Sequence, residues 1–193
     1  MDKPTDEVNY EVLERKWRSF FRFLDVNDDK SVSEDDFRNI AERLISAYQV
    51  TGNRAMDIRQ ALKGWWNVFK MEVGSARNIA TEEEYVRAVK SLFMENRPVF
   101  LAHTKELADS MHDAIDVDGN GVITRGEYIK MFAIMGVQNT GYIGRVFDCL
   151  DLDKSGVIDR TEFRRAMVEF NFNDSETDNK GYLFNFPQNN NSP

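Results

Sequence analysis

Oxygen-bearing side chains stand at alternate positions in several short stretches of this 193-residue sequence. The clearest stretch is DVDGNGVITRGEY, and we call its residues 116–127 the third loop, by chain order. A calcium ion takes roughly six to eight oxygen ligands, which a twelve-residue loop supplies from positions 1, 3, 5, 7, 9 and 12. These positions hold Asp116, Asp118, Asn120, Val122 with its backbone carbonyl, Thr124 and Glu127. The spacing therefore predicts a calcium site here.

The same pattern recurs 35 residues later as DLDKSGVIDRTEF, whose residues 151–162 are the fourth loop. The predicted ligands are Asp151, Asp153, Ser155, Val157, Asp159 and Glu162. Gly121 and Gly156 stand at position 6, where the backbone must bend with a positive φ that glycine adopts without steric cost. Ile123 at position 8 is expected to point inward and pair with a neighbouring loop as a short strand. We predict two complete calcium sites.

A first loop, residues 25–36, lies near the N-terminus in DVNDDKSVSEDDF and departs from the pattern twice. The predicted ligands are Asp25, Asn27, Asp29, Ser31, Ser33 and Asp36. Lys30 replaces the bend glycine, which costs on the order of 1 kcal/mol for a positive φ and adds a positive charge. Asp36 replaces glutamate, and its shorter arm reaches two-oxygen coordination less easily. Because magnesium prefers fewer ligands, we predict a weaker calcium site or a mixed calcium and magnesium site.

A second loop, residues 73–84, is found from the helix start that follows it. Thr81 and Glu84 match the capping-box spacing of the other three loops. Those capping boxes pair Ser33 with Asp36, Thr124 with Glu127 and Asp159 with Glu162. Counting back from Glu84 places Val73, Ser75 and Arg77 where acids belong. We predict that this loop binds no metal and serves as the pairing partner of the first loop.

The segments around the four loops carry apolar residues at the spacing of amphipathic helices. A helix, an ion-binding loop and a second helix form the unit called the EF-hand. We predict an all-α fold of eight helices, with four EF-hand units in two paired lobes that pack into a compact body. The lobes are expected at residues 1–95 and 96–172, because Pro98 interrupts any single helix through the join.

Residues 173–193 form a polar, asparagine-rich tail with one apolar cluster. The cluster contains Tyr182, Leu183, Phe184 and Phe186. Two alternatives stay open for it: the aromatic residues fold back over a hydrophobic groove, or the whole tail is disordered.

Charge and composition favour cations as partners. The formal net charge of −8 and the pI near 4.9 oppose binding to nucleic acid or to an anionic membrane surface. The N-terminus has neither a secretion signal nor the second-position glycine needed for myristoylation, and no run reaches membrane-spanning length. The single cysteine, Cys149, cannot form an intrachain disulfide. We expect a cytoplasmic monomer without a membrane anchor.

Over nearly its whole length the arrangement resembles the invertebrate sarcoplasmic calcium-binding proteins, including the calexcitin type. It is also similar to their relatives, the coelenterazine-binding proteins and the calcium-triggered photoproteins. Three features carry the resemblance: an active first loop that ends in Asp36, a degraded second loop, and two intact C-terminal loops followed by a tail. The resemblance implies a compact helical body with a large aromatic interior.

The aromatic interior has two interpretations. Some members of these families hold a hydrophobic ligand such as coelenterazine in a cavity, which Trp17, Trp65, Trp66 and Tyr182 could line here. Alternatively, these side chains simply fill the core, which is the commoner use of aromatic residues.

Catalysis is not expected. The last helix, between Arg160 and Phe170, lacks the histidine that photoproteins carry there, and the only histidines are His103 and His112. We interpret Cys149 as a buried structural thiol, and the sequence contains no phosphate-binding glycine-rich loop or zinc ligand set. We therefore expect a calcium buffer, with a calcium-regulated carrier of a hydrophobic ligand and a target-binding sensor as the alternatives.

Overall fold

The computed structural model describes residues 8–73, 78–137, 139–175 and 183–184. Within these ranges the chain forms eight α-helices and four three-residue strands. In chain order they are α1 (Tyr10–Leu24), β1 (Ser31–Ser33), α2 (Glu34–Tyr48), α3 (Gly52–Val73), β2 (Ile79–Thr81), α4 (Glu82–Glu95), α5 (Arg97–Ile115), β3 (Val122–Thr124), α6 (Arg125–Ile134), α7 (Thr140–Leu150), β4 (Val157–Asp159) and α8 (Arg160–Phe172). The predicted all-α fold is confirmed. None of the helices in these ranges combines the length and the apolar character needed to cross a membrane.

Each of the four helices that leave a loop begins with the predicted capping box. In α6, the Thr124 hydroxyl accepts from the Glu127 N–H at 3.3 Å, and Glu127 Oε2 accepts from the Thr124 N–H at 2.9 Å. The reciprocal bonds satisfy two backbone groups that would otherwise lack partners at the helix start. The position-12 carboxylate of each loop is therefore fixed by the helix that follows it.

The loops pair through short antiparallel strands. In the C-terminal half, Ile123 of β3 lies opposite Ile158 of β4, and both side chains are fully buried. In the N-terminal half, Val32 of β1 lies opposite Ala80 of β2. The second loop thus supplies the strand that pairs with the first loop, as predicted.

A break in the chain direction separates α4 from α5 at Asn96. The Asn96 side chain accepts from the Val99 N–H at 3.4 Å and caps the start of α5, with Pro98 in its first turn. Helices from the two halves then pack together, α3 against α5 and α1 against α8. The predicted interruption of the helix by Pro98 is confirmed.

Aromatic side chains fill much of the interior. The tryptophans Trp17, Trp65 and Trp66 are all buried. Phe37 lies with its ring centroid 5.5 Å from those of both Trp65 and Trp66. Of the residues proposed to line a cavity, Tyr182 lies outside the described residues.

The described part of the tail consists of Leu183 and Phe184, and both side chains are buried. The ring centroid of Phe184 lies 4.7 Å from Phe20, 4.9 Å from Phe23, 5.2 Å from Phe170 and 6.2 Å from Phe132. These rings belong to α1, α6 and α8, so one tail residue bridges helices of both lobes. Of the two alternatives for the tail, these two residues adopt the folded one; Phe186 lies outside the described residues.

One carboxylic acid in the N-terminal half is buried, and no pattern in the sequence predicts its burial. Glu72, in the last turn of α3, is almost fully buried, and its Oε2 has no hydrogen-bond partner. Burial raises the pKa of Glu72 from 4.5 to about 8. Burial also raises the pKa of the Tyr85 hydroxyl, and the charged form of Glu72 adds to that shift. The uncharged acid is therefore the form compatible with this site near neutral pH.

Glu72 is expected to make the fold less stable as the pH rises. The pKa of Glu72 is higher in the folded than in the unfolded protein. The stability that Glu72 contributes is therefore fully present below about pH 4.5 and is lost as the pH rises through about 8. Between pH 5.5 and 8 we expect Glu72→Gln to gain on the order of 2 kcal/mol in free energy of unfolding relative to the parent protein. Urea denaturation in chelator at the two pH values measures this difference.

The exposed Glu95 provides the matched control for this measurement. Glu95→Gln removes the same charge from a solvated site, so it should follow the parent protein at both pH values. A Glu72→Gln variant that also followed the parent would show that Glu72 is ionised without cost in the folded protein.

Candidate metal centres

The third loop turns around the carboxylate of Asp116, which ends α5. Asp116 Oδ1 accepts from the N–H groups of Gly119 and Asn120 at 2.8 and 3.0 Å, and its Oδ2 accepts from the N–H of Gly121 at 2.9 Å. Gly121 has φ of +92°, the positive value predicted for position 6. The backbone therefore wraps around the position-1 acid.

The position-12 residue Glu127 closes the third loop from the other side. Its Oε1 accepts from the Val117 N–H at 2.8 Å, while its Oε2 accepts from the N–H and the hydroxyl of Thr124 at 2.9 and 2.7 Å. The two carboxylate oxygens are thus held by opposite ends of the loop. Asp118 accepts from the N–H of Asn120 at 3.1 Å on the loop rim.

The fourth loop repeats this arrangement. The two oxygens of Asp151 accept from Ser155 N–H at 3.0 Å and from Gly156 N–H at 2.9 Å. Glu162 Oε1 accepts from the Leu152 N–H at 2.7 Å. The Ser155 hydroxyl donates to the Val157 carbonyl at 3.3 Å, which places this predicted backbone ligand on the inner side of the loop. The two C-terminal loops therefore share one local design.

The first loop has the same backbone turn around its position-1 acid. It lacks the hydrogen bond between the position-12 carboxylate and the backbone near the start of the loop. Asp25 accepts from the N–H groups of Asp29 and Lys30, and Lys30 adopts the expected left-handed conformation with φ of +69°. Asp36 Oδ2 accepts from Ser33, whereas its buried Oδ1 has no hydrogen-bond partner. Because aspartate is one methylene shorter than glutamate, this oxygen does not reach the backbone that Glu127 reaches.

The carboxylates converge in two of the loops. One oxygen from each of three acids lies within 4.8 Å of the others in each cluster. The clusters are Asp116, Asp118 and Glu127 in the third loop, and Asp151, Asp153 and Glu162 in the fourth. Within the described ranges, the first loop does not form such a cluster. Its position 3 is Asn27, which leaves Asp25, Asp29 and the shorter Asp36 as its acids.

A cation fits both clusters. Asp116, Glu127 and Asp151 are buried, and no lysine or arginine of the described part of the chain forms an ion pair with them. Buried charge is costly unless it is paired or coordinates a metal ion. The oxygen donors are of the kind that calcium binds. The remaining predicted ligands Val122, Thr124 and Asp159 lie in β3 and β4.

The electrostatics of the loop acids differ with burial. Burial raises the pKa of Asp25 and that of Asp36. Hydrogen bonding from Ser155 lowers the pKa of the exposed Asp153, and hydrogen bonding from Ser31 does the same for Asp29. A bound cation would favour the charged form of all four carboxylates.

The second loop is described at Val73 and at residues 78–84. Val73 ends α3 and Glu84 lies in the capping box of α4, whereas Ser75 and Arg77 lie outside the described residues. The absence of metal from this loop stays a prediction based on its sequence.

The other residues considered for chemistry do not belong to the two acidic clusters. In α5, His112 is fully buried and His103 is half-buried. Cys149 in α7 is half-buried rather than buried, because it lies beside rather than on the apolar face of its helix. This corrects the expected environment of the thiol.

Two N-terminal residues that the sequence did not identify contact the third loop. Arg54 of α3 donates to the Val117 carbonyl at 2.8 Å, and Tyr48 of α2 donates to the Glu127 carbonyl at 3.3 Å. The residues in each pair are more than 60 positions apart in the sequence. No local pattern could have indicated them.

Paired helix-loop-helix units with clustered loop carboxylates are typical of calcium-binding EF-hand proteins. Residues 105–168 match the family of the EF-hand domain pair. Residues 105–168 are therefore similar to an EF-hand domain pair.

The chain is also similar to known proteins in sequence and in fold. The chain is 23% identical over 137 residues to a sarcoplasmic calcium-binding protein of Mizuhopecten yessoensis, which covers 71% of this chain and 76% of the relative. The fold is similar to that of a calcium-loaded apo form of the coelenterazine-binding protein from Renilla muelleri, with a TM-score of 0.73, 23% identity and coverage of 90% of this chain and 94% of that one. It is also similar to n-aequorin, with a TM-score of 0.70, 22% identity and coverage of 96% and 99%.

Proposed function

We propose that the protein is a calcium buffer of the cytoplasm that acts as a monomer and has no catalytic role. The single observation that supports calcium uptake best is the pair of carboxylate clusters, whose buried members Asp116, Glu127 and Asp151 form no ion pair with a lysine or arginine of the described residues. The similarity to a sarcoplasmic calcium-binding protein supports the same assignment.

The buffer role is supported by the filled interior. A calcium sensor opens a methionine-rich groove, whereas a buffer changes little outwardly. Met111, Met131 and Met167 are buried in the core, and Phe184 of the tail packs between helices of both lobes. A groove for a target helix would require these contacts to separate.

The chain's own residues would hold the ion as follows. In the third loop the carboxylates of Asp116, Asp118 and Glu127 are held by backbone N–H groups, and the fourth loop repeats this. A bound divalent ion supplies the positive charge that relieves repulsion among the acids. We propose the first loop as a third and weaker site that takes calcium or magnesium, since its buried Asp36 Oδ1 lacks a partner.

Calcium titration of single variants tests the sites. Glu127→Gln and Glu162→Gln are each expected to weaken binding at their own loop by at least about 100-fold, because even residues that only orient metal ligands contribute roughly 10- to 100-fold. Isothermal titration calorimetry of chelated protein measures both affinities. The matched control is Glu84→Gln, which removes the same capping carboxylate from the second loop and should leave calcium affinity unchanged.

The same titration separates the buffer from the sensor. A hydrophobic dye added during the titration should change its fluorescence little for a buffer and increase it strongly for a sensor that opens a groove. Unchanged calcium affinity in both Glu127→Gln and Glu162→Gln would contradict the assigned sites. A strong calcium-dependent increase in dye fluorescence would contradict the buffer role.

A second candidate function is a calcium-regulated carrier of a hydrophobic small molecule. Trp17 Nε1, Trp65 Nε1 and the Tyr128 hydroxyl are buried without hydrogen-bond partners. Buried polar groups normally have partners, so a ligand with polar atoms in this interior would satisfy them. The similarity in fold to a coelenterazine-binding protein supports this candidate. Native mass spectrometry of protein incubated with coelenterazine, with and without calcium, tests it: a retained ligand that calcium releases supports the carrier, and no retention contradicts it.

A further inference from the structure

The third loop is held at its beginning by a side chain of the N-terminal half. Arg54 of α3, with its side chain three-quarters buried, donates from Nε to the Val117 carbonyl at 2.8 Å and from Nη2 to the Asp113 carbonyl at 3.1 Å. Its Nη2 also donates to the Asp116 carbonyl. These carbonyls lie in the last turn of α5 and just beyond it, where the helix offers no backbone donors and where a positive charge is favourable.

One peptide unit connects Arg54 to the predicted ion ligands. The peptide between Asp116 and Val117 accepts from Arg54 at its carbonyl and donates from its N–H to Glu127 Oε1 at 2.8 Å. Hydrogen bonds on both sides of a peptide polarise it and strengthen one another. Arg54 therefore fixes the backbone that carries the position-1 acid and orients the N–H that holds the position-12 acid.

The end of the third loop is held by the same half of the chain. The Tyr48 hydroxyl, from the last residue of α2, donates to the backbone carbonyl of Glu127 at 3.3 Å. Lys130 Nζ of α6 donates to the Ala47 carbonyl at 2.5 Å and lies 3.8 Å from the centroid of the Tyr48 ring. The N-terminal half thus contacts the loop at position 1 and at position 12.

The fourth loop has the same ligand pattern without this support. The Leu152 N–H donates to Glu162 Oε1 at 2.7 Å, as the matching peptide does in the third loop. Among the described side chains, however, none donates to the Asp151 carbonyl as Arg54 does to that of Asp116. Lys154 of the loop itself donates instead to the Asp148 carbonyl. The two loops therefore differ in which groups bind the carbonyl of the peptide between positions 1 and 2.

We propose that Arg54 is a positioning residue of the third ion site, through which the N-terminal half raises the calcium affinity of that loop. The inference rests on the proposed calcium binding by the third loop. Because binding linkage is reciprocal, filling the third loop also stabilises the contact between α3 and the end of α5. The fourth loop binds calcium independently of Arg54.

Charge repulsion between the Arg54 guanidinium group and a bound cation would weaken ion binding at the third loop, whereas the positioning hydrogen bonds would strengthen it. The guanidinium group is positive and lies close to the loop, so removing it would strengthen ion binding if repulsion outweighed the hydrogen bonds. Lysine keeps the charge but cannot reproduce the planar fork that reaches three carbonyls. The two substitutions of Arg54 therefore separate the effects.

Site-resolved NMR titration tests the proposal. The amides of Gly121 and Gly156, which donate to the position-1 carboxylates, report the third and fourth loops separately. Chelated, ¹⁵N-labelled parent protein, Arg54→Met and Arg54→Lys are titrated with calcium. Arg59→Met is the matched control, since Arg59 lies in the same helix and pairs with a surface carboxylate instead.

We expect Arg54→Met to weaken calcium binding at Gly121 by about 10-fold, within the range for residues that orient metal ligands, and to leave Gly156 unchanged. Arg54→Lys should give an intermediate value and Arg59→Met none. Tyr48→Phe, which removes one hydroxyl and keeps the ring, should weaken the third loop by roughly 2- to 10-fold. It provides an independent test should Arg54→Met fail to fold.

Three results would overturn the proposal: unchanged binding at Gly121, tighter binding in Arg54→Met, or equal weakening at Gly121 and Gly156. If neither glycine amide of the parent protein responded to calcium, the proposed calcium binding itself would fail. A parent protein that responds normally beside an unaffected Arg54→Met variant would overturn only the role of Arg54.

Discussion

Removing calcium with a chelator is expected to lower the melting temperature of the protein by about 10 °C or more. One site filled at about 1,000 times its Kd contributes roughly 4 kcal/mol to the free energy of unfolding, and a protein of this length shifts by about 2 to 4 °C per kcal/mol. The empty loops retain buried, mutually repelling carboxylates. Three bound divalent ions would bring six positive charges and change the formal net charge from −8 to −2.

Differential scanning calorimetry in chelator and in excess calcium measures this shift. The double variant Glu127→Gln, Glu162→Gln is the control, because it keeps both helix pairs and loses the main carboxylate of each cluster. Most of the calcium-dependent shift should disappear in that variant. Equal melting temperatures of the parent protein in chelator and in calcium would contradict the coupling of ion binding to folding.

Replacing Phe184 by alanine is expected to destabilise the protein by about 3 to 5 kcal/mol, the cost of removing a buried phenylalanine side chain. The Phe184 ring lies between Phe20 and Phe23 of α1 and Phe170 of α8, with centroid distances of 4.7 to 5.2 Å. Its loss leaves a cavity where the two lobes meet. Urea denaturation in saturating calcium measures the change in free energy of unfolding.

Met94→Ala is the matched control, because this side chain is largely exposed and its truncation removes little buried surface. The free energy of unfolding of Met94→Ala should lie within about 0.5 kcal/mol of that of the parent protein. A Phe184→Ala variant that behaved like this control would show that the tail does not occupy the interior in solution. The space between the lobes would then be open to a ligand, which would favour the carrier function.

The sequence alone determined the parts of this protein that are local in the chain. Each ion loop lies within twelve consecutive residues, so the acids, the bend glycine and the capping box can be read directly. Gly121 has the expected positive φ, and Ile123 pairs with Ile158. The short reach of Asp36 in the first loop, whose Oδ1 has no hydrogen-bond partner, was also predictable, because side-chain length is a property of one residue.

Only the tertiary structure decided the contacts between distant segments. Arg54 lies 62 positions from Asp116, and nothing in the sequence around either residue indicates their hydrogen bond. The tail residue Phe184 and the buried acid Glu72 are likewise defined by what packs around them. Helix periodicity predicts which face of a helix is buried. Which helix packs against that face depends on contacts among all eight described helices, and these contacts join residues that are far apart in the sequence.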